Sequence, residues 1–442
     1  MKHRSLCHVC LLALLALCLN GAAMAEAPAA ETRVILGDEQ YEAYMPLLEG
    51  ARVALFSNHT GIVGDLTSAS AAAPAANGDL IPFGKDAEGN EISYGQHVLD
   101  ALIGHGANVT AIFSPEHGFR GTAGAGENVN DGVDEATGVP ILSLYAENSH
   151  YPSDEDMAKF DMLVIDIQDV GLRYYTYYIS MYYLMDACAL AGKPVVLLDR
   201  PNPNGFYVDG PMLRPEFSSN VGRLPVPTVH GLTLGELAQM INGEGWLEAG
   251  ANGCDLTVIP CLNYTHQTLT SLVRAPSPNL KDMRAVYLYA STCYFENTAV
   301  SVGRGTQFPF ESFGSPYLEG AEGYDFSFTP ESIPGANNPP FEGEMCYGRD
   351  LRDIPLEQIL SEGINLSYLV DAYCAIHDAH PDVSFFGKSD DKGRYWLDKL
   401  FGTDAVRLMI EAGMSAEDIR ASWQDELEAF KAQRRPYLLY EE

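Results

Sequence analysis

The densest run of reactive side chains is Phe113-Ser-Pro-Glu-His-Gly-Phe-Arg-Gly121, which sets an acid, an imidazole and a guanidinium between one proline and two glycines. Pro115 fixes its own φ, and Gly118 and Gly121 permit turns that side-chained residues resist, so Glu116, His117 and Arg120 are held at set angles on a short loop. A glutamate fixed in this way can hand a proton to a leaving group, with the histidine beside it as a partner. A β-to-α turn that is merely charged has the same composition, so the loop needs support from the rest of the chain.

That support is positional. The runs 52–57, 109–113, 139–144, 162–166, 194–199 and 255–260 are short, apolar and rich in β-branched residues, and the segments between them are long enough for crossover helices. Near-continuous apolar strands of this kind mark a parallel sheet covered on both faces. Asn58, Glu116, Asp166 with Asp169 and Arg173, and Asp199 with Arg200, Asn202 and Asn204 all fall at or just past the carboxyl ends of these strands, the edge where open parallel sheets bind ligands. Tyr174 begins a tyrosine-rich helix start whose rings either fill the core or form a stacking wall for a sugar. Glu127 follows Glu116 closely enough to be a second carboxylate. Farther on, His230 precedes a helix whose start at Thr233 and Glu236 reads as a capping box. Arg304 stands between Gly303 and Gly305 with Thr306 next, a signature shared by close backbone approach to a ligand and by a structural bulge. No GxGxxG follows the first strand, which argues against a dinucleotide, and no cofactor is expected.

The chain opens with Lys2 and Arg4, the apolar run Leu11 to Leu17 and Ala23-Met-Ala25, the pattern of an export signal cut after residue 25. Leu17 before Cys18 fits lipoprotein processing poorly, so release as an exported, unanchored protein is expected. No later run is long enough to span a bilayer. A net charge of −33 repels nucleic acid and leaves glycans or peptides as substrates. The six cysteines after residue 25 show neither a disulfide framework nor a CxxC metal pair. The expected fold class is α/β: a Rossmann-like parallel-sheet domain over 33–260, with an irregular insertion at 68–90, then a smaller α+β domain over 261–442. In that second part the residues suggest a strand at 285–289, a long polar loop at 295–311, helices near 366–377, 392–401 and 416–432, and a final strand or docked tail at 434–440.

Ser57-Asn-His-Thr-Gly61, Pro115-Glu-His-Gly-Phe-Arg-Gly121, Asp166-Ile-Gln-Asp-Val-Gly-Leu-Arg-Tyr-Tyr-Thr-Tyr177, Asp199-Arg-Pro-Asn-Pro-Asn-Gly205, His230-Gly-Leu-Thr-Leu-Gly-Glu236 and Gly303-Arg-Gly-Thr306 stand in this order. In these motifs the chain resembles the exo-β-N-acetylmuramidase family from about residue 52 to residue 440. The resemblance implies a Rossmann-like first domain, a smaller second domain, and removal of N-acetylmuramic acid from the non-reducing end of peptidoglycan-derived fragments. It places the family's catalytic glutamate on Glu116. The insertion at 68–90 and Asn297-Thr-Ala, where a glycine and an asparagine are expected around the threonine, depart from the pattern and bear on cleft shape.

Glycoside cleavage needs an acid and a second group that serves as nucleophile or base. Glu116 suits the first role; Glu127, Asp169 or the sugar's own acetamido group suits the second. A lactyl carboxylate calls for an arginine, with Arg173 and Arg304 as candidates. Two other classes fit some of the residues. His59, His117, Asp166, Asp169 and His230 would serve a metal-dependent hydrolase of phosphate or amide bonds, though no HExxH-like spacing supports it. Non-catalytic binding of cell wall is the third reading.

Overall fold

The apolar runs of the first half become strands of one sheet: β1 (Arg52–Phe56), β2 (Asn108–Ser114), β3 (Gly132–Val133), β4 (Pro140–Ser143), β5 (Met162–Ile165), β6 (Val195–Leu198) and, after the short ribbon β7 (Asp209–Met212) and β8 (Pro227–Val229), β9 (Leu256–Ile259). The computed structural model describes residues 33–64, 95–115, 119, 131–144, 150–248, 253–272 and 274–442. The sheet order is β3-β4-β2-β1-β5-β6-β9. Every pairing is parallel except that of the edge strand β3 with β4.

Alternation along the strands sorts their side chains onto two buried faces. Ala54, Phe56, Phe113, Leu163, Ile165 and Leu197 join one core, which includes the helices Tyr177–Ala191 and Leu234–Gly243. Val53, Leu55, Ile112, Val164, Val196 and Leu198 join another, closed by Tyr44, Leu48 and the helix Val98–Gly104. The first core runs on without a break into Phe295, Phe313, Leu369, Phe401 and Phe430. The second half thus adds a smaller α+β layer on that face, with the antiparallel sheet β10 (Ser312–Ser315), β12 (Cys346–Asp350) and β11 (Phe326–Phe328) and a set of helices. Residues 34–442 accordingly form a single packing unit.

Four local expectations are corrected. The run 285–289 is not a strand but part of the helix Met283–Thr292, started by Asp282, whose carboxylate accepts the Ala285 N–H at 2.9 Å. Every residue of that helix is buried, and its apolar, aromatic-rich centre Ala285-Val-Tyr-Leu-Tyr289 has the composition of a buried strand as well. The helix expected at 392–401 is only Trp396–Phe401, because Asp390 folds the preceding residues into a turn on the Arg394 and Lys392 N–H groups. The segment 416–432 divides into Ala416–Ala421 and Gln424–Arg434. The loop 295–311 is mostly buried. Among the described residues no helix is long and apolar enough to cross a membrane, and the six cysteines there are free thiols.

The C-terminal segment is a docked tail. Its Tyr440 hydroxyl donates to Asp199 Oδ2 at 2.6 Å, and the Leu439 N–H donates to Glu236 Oε1 at 2.9 Å. Asp199, fully buried just past the end of β6, accepts from the Tyr440 hydroxyl and also from Thr233 Oγ1 at 2.7 Å and the Gly235 N–H at 2.9 Å. A hydrogen bond to a buried carboxylate contributes about 1.5–3 kcal/mol. Tyr440→Phe is therefore expected to lower unfolding free energy by about that amount in urea titrations; an unchanged midpoint would show that the tail is not held by this bond.

Candidate functional site

The turns after the strands are built from buried polar side chains that satisfy one another. Arg200 donates through Nε to Asp166 Oδ1 at 2.6 Å and through Nη2 to Asp38 Oδ2 at 2.7 Å, all three groups being buried. Asn58 Oδ1 accepts from the Thr60 N–H at 2.9 Å and hydroxyl at 2.6 Å. Asn202 donates to Leu232 O at 2.9 Å and accepts the Asn204 N–H at 2.8 Å, while Asn204 donates to Val170 O at 2.9 Å. A Cβ on Gly171, at φ +75°, would stand 2.1 Å from Asn202 Oδ1, so only glycine lets these two turns meet. His230 accepts the Leu232 N–H through Nδ1 at 3.2 Å; burial, reinforced by Arg434 and Arg173, depresses its pKa to about 3 and keeps the ring neutral.

Arg173, expected to meet a substrate carboxylate, is instead wholly buried. It donates through Nη1 to Pro211 O and Val226 O, each at 2.7 Å, and through Nη2 to Leu400 O at 3.0 Å. A guanidinium spent on three carbonyls of three segments braces the fold, and it does not line the large cavity. Asp169 is likewise interior: Oδ1 accepts the Gly171 N–H at 2.7 Å, and Oδ2 has no partner among the described residues. Burial pushes its carboxyl up to about 7 against the pull of backbone N–H donors. His59, Asp166, Asp169 and His230 each answer to different partners, and no group of three or more potential metal ligands gathers among the described residues. Glu116, His117, Arg120 and Glu127, like the export signal and the whole insertion at 68–90, lie outside the described residues.

The open space is a cavity of about 720 Å³ between the Tyr174-Tyr-Thr176 turn and the second half of the chain. The tyrosine hydroxyls are already engaged, Tyr174 with Tyr289 O at 3.0 Å and Tyr175 with Pro276 O at 2.7 Å, so these residues turn ring surface to the cavity. Asn279, Asn297 and Asn338 supply amides, and Trp396 adds an indole whose Nε1 has no partner among the described residues. Arg304 also lines it. Its Nε and Nη2 donate to Glu296 Oε1 at 2.8 and 2.5 Å, and its guanidinium lies over the Phe310 ring at 5.0 Å. Burial opposes the charge, but the Glu296 carboxylate outweighs it and holds Arg304 above its ordinary pKa. Thr306 sits beneath, its hydroxyl donating to Gly303 O at 2.6 Å. Five non-glycine residues have left-handed φ among the described residues, and three of them, Asn297, Phe310 and Asn338, line this one cavity. Such strain concentrates where a structure holds a ligand-facing geometry.

Of the candidate site residues, then, Tyr174 and Arg304 reach the cavity, whereas Asn58, Asp166, Arg173, Asp199, Asn202, Asn204 and His230 form the buried frame behind it. Nothing in the sequence strongly marks Glu296, Asn279, Asn338 or Trp396 as cavity-lining. The available signals were weak: one of only three tryptophans, and asparagines beside Gly335 and Pro339-Pro340, where turns are made.

Fold and cavity together define a parallel-sheet α/β protein with a cavity between the turn at Tyr174–Thr176 and a second α+β layer. The chain belongs to the family described as exo-β-N-acetylmuramidase NamZ: the model of that family's N-terminal region matches residues 88–284 and that of its C-terminal region residues 287–440. It is 37% identical over 347 residues to the peptidoglycan β-N-acetylmuramidase NamZ of Bacillus subtilis (strain 168), covering 75% of this chain and 80% of that one. Among solved structures, a DUF1343 family protein from Bacteroides fragilis NCTC 9343 is similar at 49% identity and a TM-score of 0.77, over 93% of this chain and 100% of its own. A second such protein of that organism is similar at 25% identity and a TM-score of 0.73, over 92% and 99%.

The interior carboxyl of Asp169 gives the frame a pH dependence. Its folded-state pKa of about 7 lies above the ordinary 3.8, so the folded chain binds this proton more tightly than the unfolded chain does. The contribution is fully present below pH ~4, is lost as pH rises toward ~7 and stays lost above. Asp169→Asn is expected to flatten the decline in unfolding free energy between pH 4.5 and 7.5; an unaltered slope in denaturant titrations would place the titration elsewhere.

Proposed function

We propose that this protein is an exo-acting glycoside hydrolase that releases N-acetylmuramic acid from the non-reducing end of peptidoglycan fragments, working after export in cell-wall turnover and recycling. Membership of the exo-β-N-acetylmuramidase family carries this reading. The cavity agrees with it: ring faces for stacking, several amides for hydroxyl groups, and a guanidinium for an anionic substituent. Metal-dependent hydrolysis has less support, because among the described residues no group of three or more potential metal ligands gathers, and His59, Asp166 and His230 have other hydrogen-bond partners.

In this reading Glu116 is the acid. Its carboxyl proton passes to the glycosidic oxygen as the bond from that oxygen to the anomeric carbon breaks. Asp169 faces Gly171 and not the cavity, so the second role falls to Glu127 or to the sugar's acetamido oxygen. Arg304 takes the lactyl carboxylate. Arg173 does not, since it is wholly buried away from the cavity, with Nη1 and Nη2 bonded to backbone carbonyls.

The decisive assay is incubation with a chromogenic N-acetylmuramic acid glycoside, with and without chelator, and with unmodified glycan strands. Monosaccharide is expected from the earliest time points and insensitivity to chelator; early internal fragments would contradict the exo assignment. Glu116→Gln keeps shape while removing the proton and is expected to cut turnover of an unactivated disaccharide by at least ~10²-fold. Near-normal turnover would remove Glu116 from the mechanism.

Arg304→Met is expected to narrow the preference for N-acetylmuramic acid over N-acetylglucosamine glycosides by ~2–5 kcal/mol, the cost of truncating one partner of a desolvated charge pair. An unchanged ratio of kcat/KM would put the carboxylate elsewhere.

A further inference from the structure

The Arg304–Glu296 pair is asymmetric. Both bonds from the guanidinium end on the single oxygen Glu296 Oε1, at 2.8 and 2.5 Å. Glu296 Oε2 makes no hydrogen bond among the described residues, although the residue lines the cavity with its side chain one-fifth exposed. A carboxylate oxygen left without a donor at a cavity wall is an acceptor waiting for an N–H or O–H from a ligand.

Its direction is fixed from both sides. Glu296 ends the buried turn Cys293–Phe295, its own N–H donating to Cys293 O at 3.0 Å. The next residue, Asn297, has φ +58°, and a Cβ on Gly387 would lie 2.4 Å from the Asn297 carbonyl oxygen, so the segment at 387 presses this strained turn into place. Ala299 donates to Phe385 O at 2.7 Å and Thr298 to Phe295 O at 2.6 Å, which closes the turn. Phe310, itself at φ +66°, holds Arg304 from the other side and donates its N–H to Val302 O at 2.7 Å.

The lining of the same cavity also includes Val300 and Val302, which show it narrow apolar edges, being 2% and 3% exposed. An N–H acceptor near such edges is complementary to a secondary amide bearing a short alkyl group. We infer that Glu296 and these edges form an N-acetyl pocket: Glu296 Oε2 accepts the acetamido N–H of the bound sugar, and Val300 and Val302 contact its methyl group. The inference rests on the reading of the site as a muramic acid site and deepens it. In that sugar the lactyl ether and the acetamido group occupy neighbouring ring carbons, so one ion pair reads both, Arg304 the carboxylate and Glu296 the amide. Glu296 is then a specificity-determining residue for the 2-acetamido group, and its bonds to Arg304 hold both readers in register.

The test is calorimetric binding to the full-length protein, which needs no turnover. N-acetylmuramic acid is compared with 2-deoxy-3-O-lactylglucose, which carries hydrogen in place of the acetamido group, and with the N-butyryl analogue. The unmodified protein is expected to bind the acetyl sugar at least tenfold more tightly than either analogue. Glu296→Gln, with its fold checked by thermal unfolding, is expected to weaken the acetyl sugar at least fivefold more than 2-deoxy-3-O-lactylglucose, which loses only the bracing of Arg304. Equal binding of the three ligands by the unmodified protein overturns the pocket even if the variant fails to fold. An equal loss for both sugars in Glu296→Gln overturns the role of Glu296. The same selective binding without release of N-acetylmuramic acid from any glycoside sustains the pocket and defeats the proposed hydrolysis.

Discussion

Covering a parallel sheet on both faces is the constraint from which the rest of this structure follows. With Phe56, Ile165 and Leu197 buried on one side and Leu55, Val164 and Leu198 on the other, the strands leave no face for polar chemistry. Polar groups are pushed to the strand ends, where backbone amides have lost their ladder partners and must be satisfied by side chains or by a ligand. The cluster of Asp166, Arg200 and Asp38 and the group around Asp199 are the outcome of that pressure.

Most of those strand-end groups are consumed internally. Arg200 between two carboxylates, Asn202 and Asn204 bridging three turns, and Asp199 gripping the C-terminal tail form a network with little exposure to solvent. Breaking a buried charged cluster on one side costs several kcal/mol, about 3–5, because the remaining charge is stranded. The network therefore fixes the loop geometry and leaves the ligand to groups mounted on it. The tail's contact with the end of β6 also explains how the last residues of the chain act on the first half of the fold.

The cavity is a product of two layers. Tyr174 and Tyr175 present their rings from the sheet side, and Glu296, Arg304, Asn338 and Trp396 meet them from the other. Because one apolar core passes from the sheet into the second half, the two walls are held by shared packing and not by a flexible linker. Strained backbone at Asn297, Phe310 and Asn338 is tolerated where that packing surrounds it.

The sequence by itself determined the sheet. Runs such as Val53-Ala-Leu-Phe56 and Leu163-Val-Ile165 are apolar at every position, and their short length with crossover-length segments between them favours strands of a parallel sheet buried on both faces. The capping box at Thr233 and Glu236 was legible for the same local reason, since both partners lie within one turn. The motifs also led to the family. What tertiary structure decided was which polar residue faces a ligand and which faces a carbonyl. Arg173 and Arg304 look alike in sequence, yet one is bonded to Pro211, Val226 and Leu400 and the other to Glu296 at a cavity wall. Those partners lie up to 227 residues away, and no local pattern encodes them. The helix Met283–Thr292 was hidden for a related reason: its centre is a run of apolar and aromatic residues that a buried strand would also show, and only the contacts around it restore the distinction.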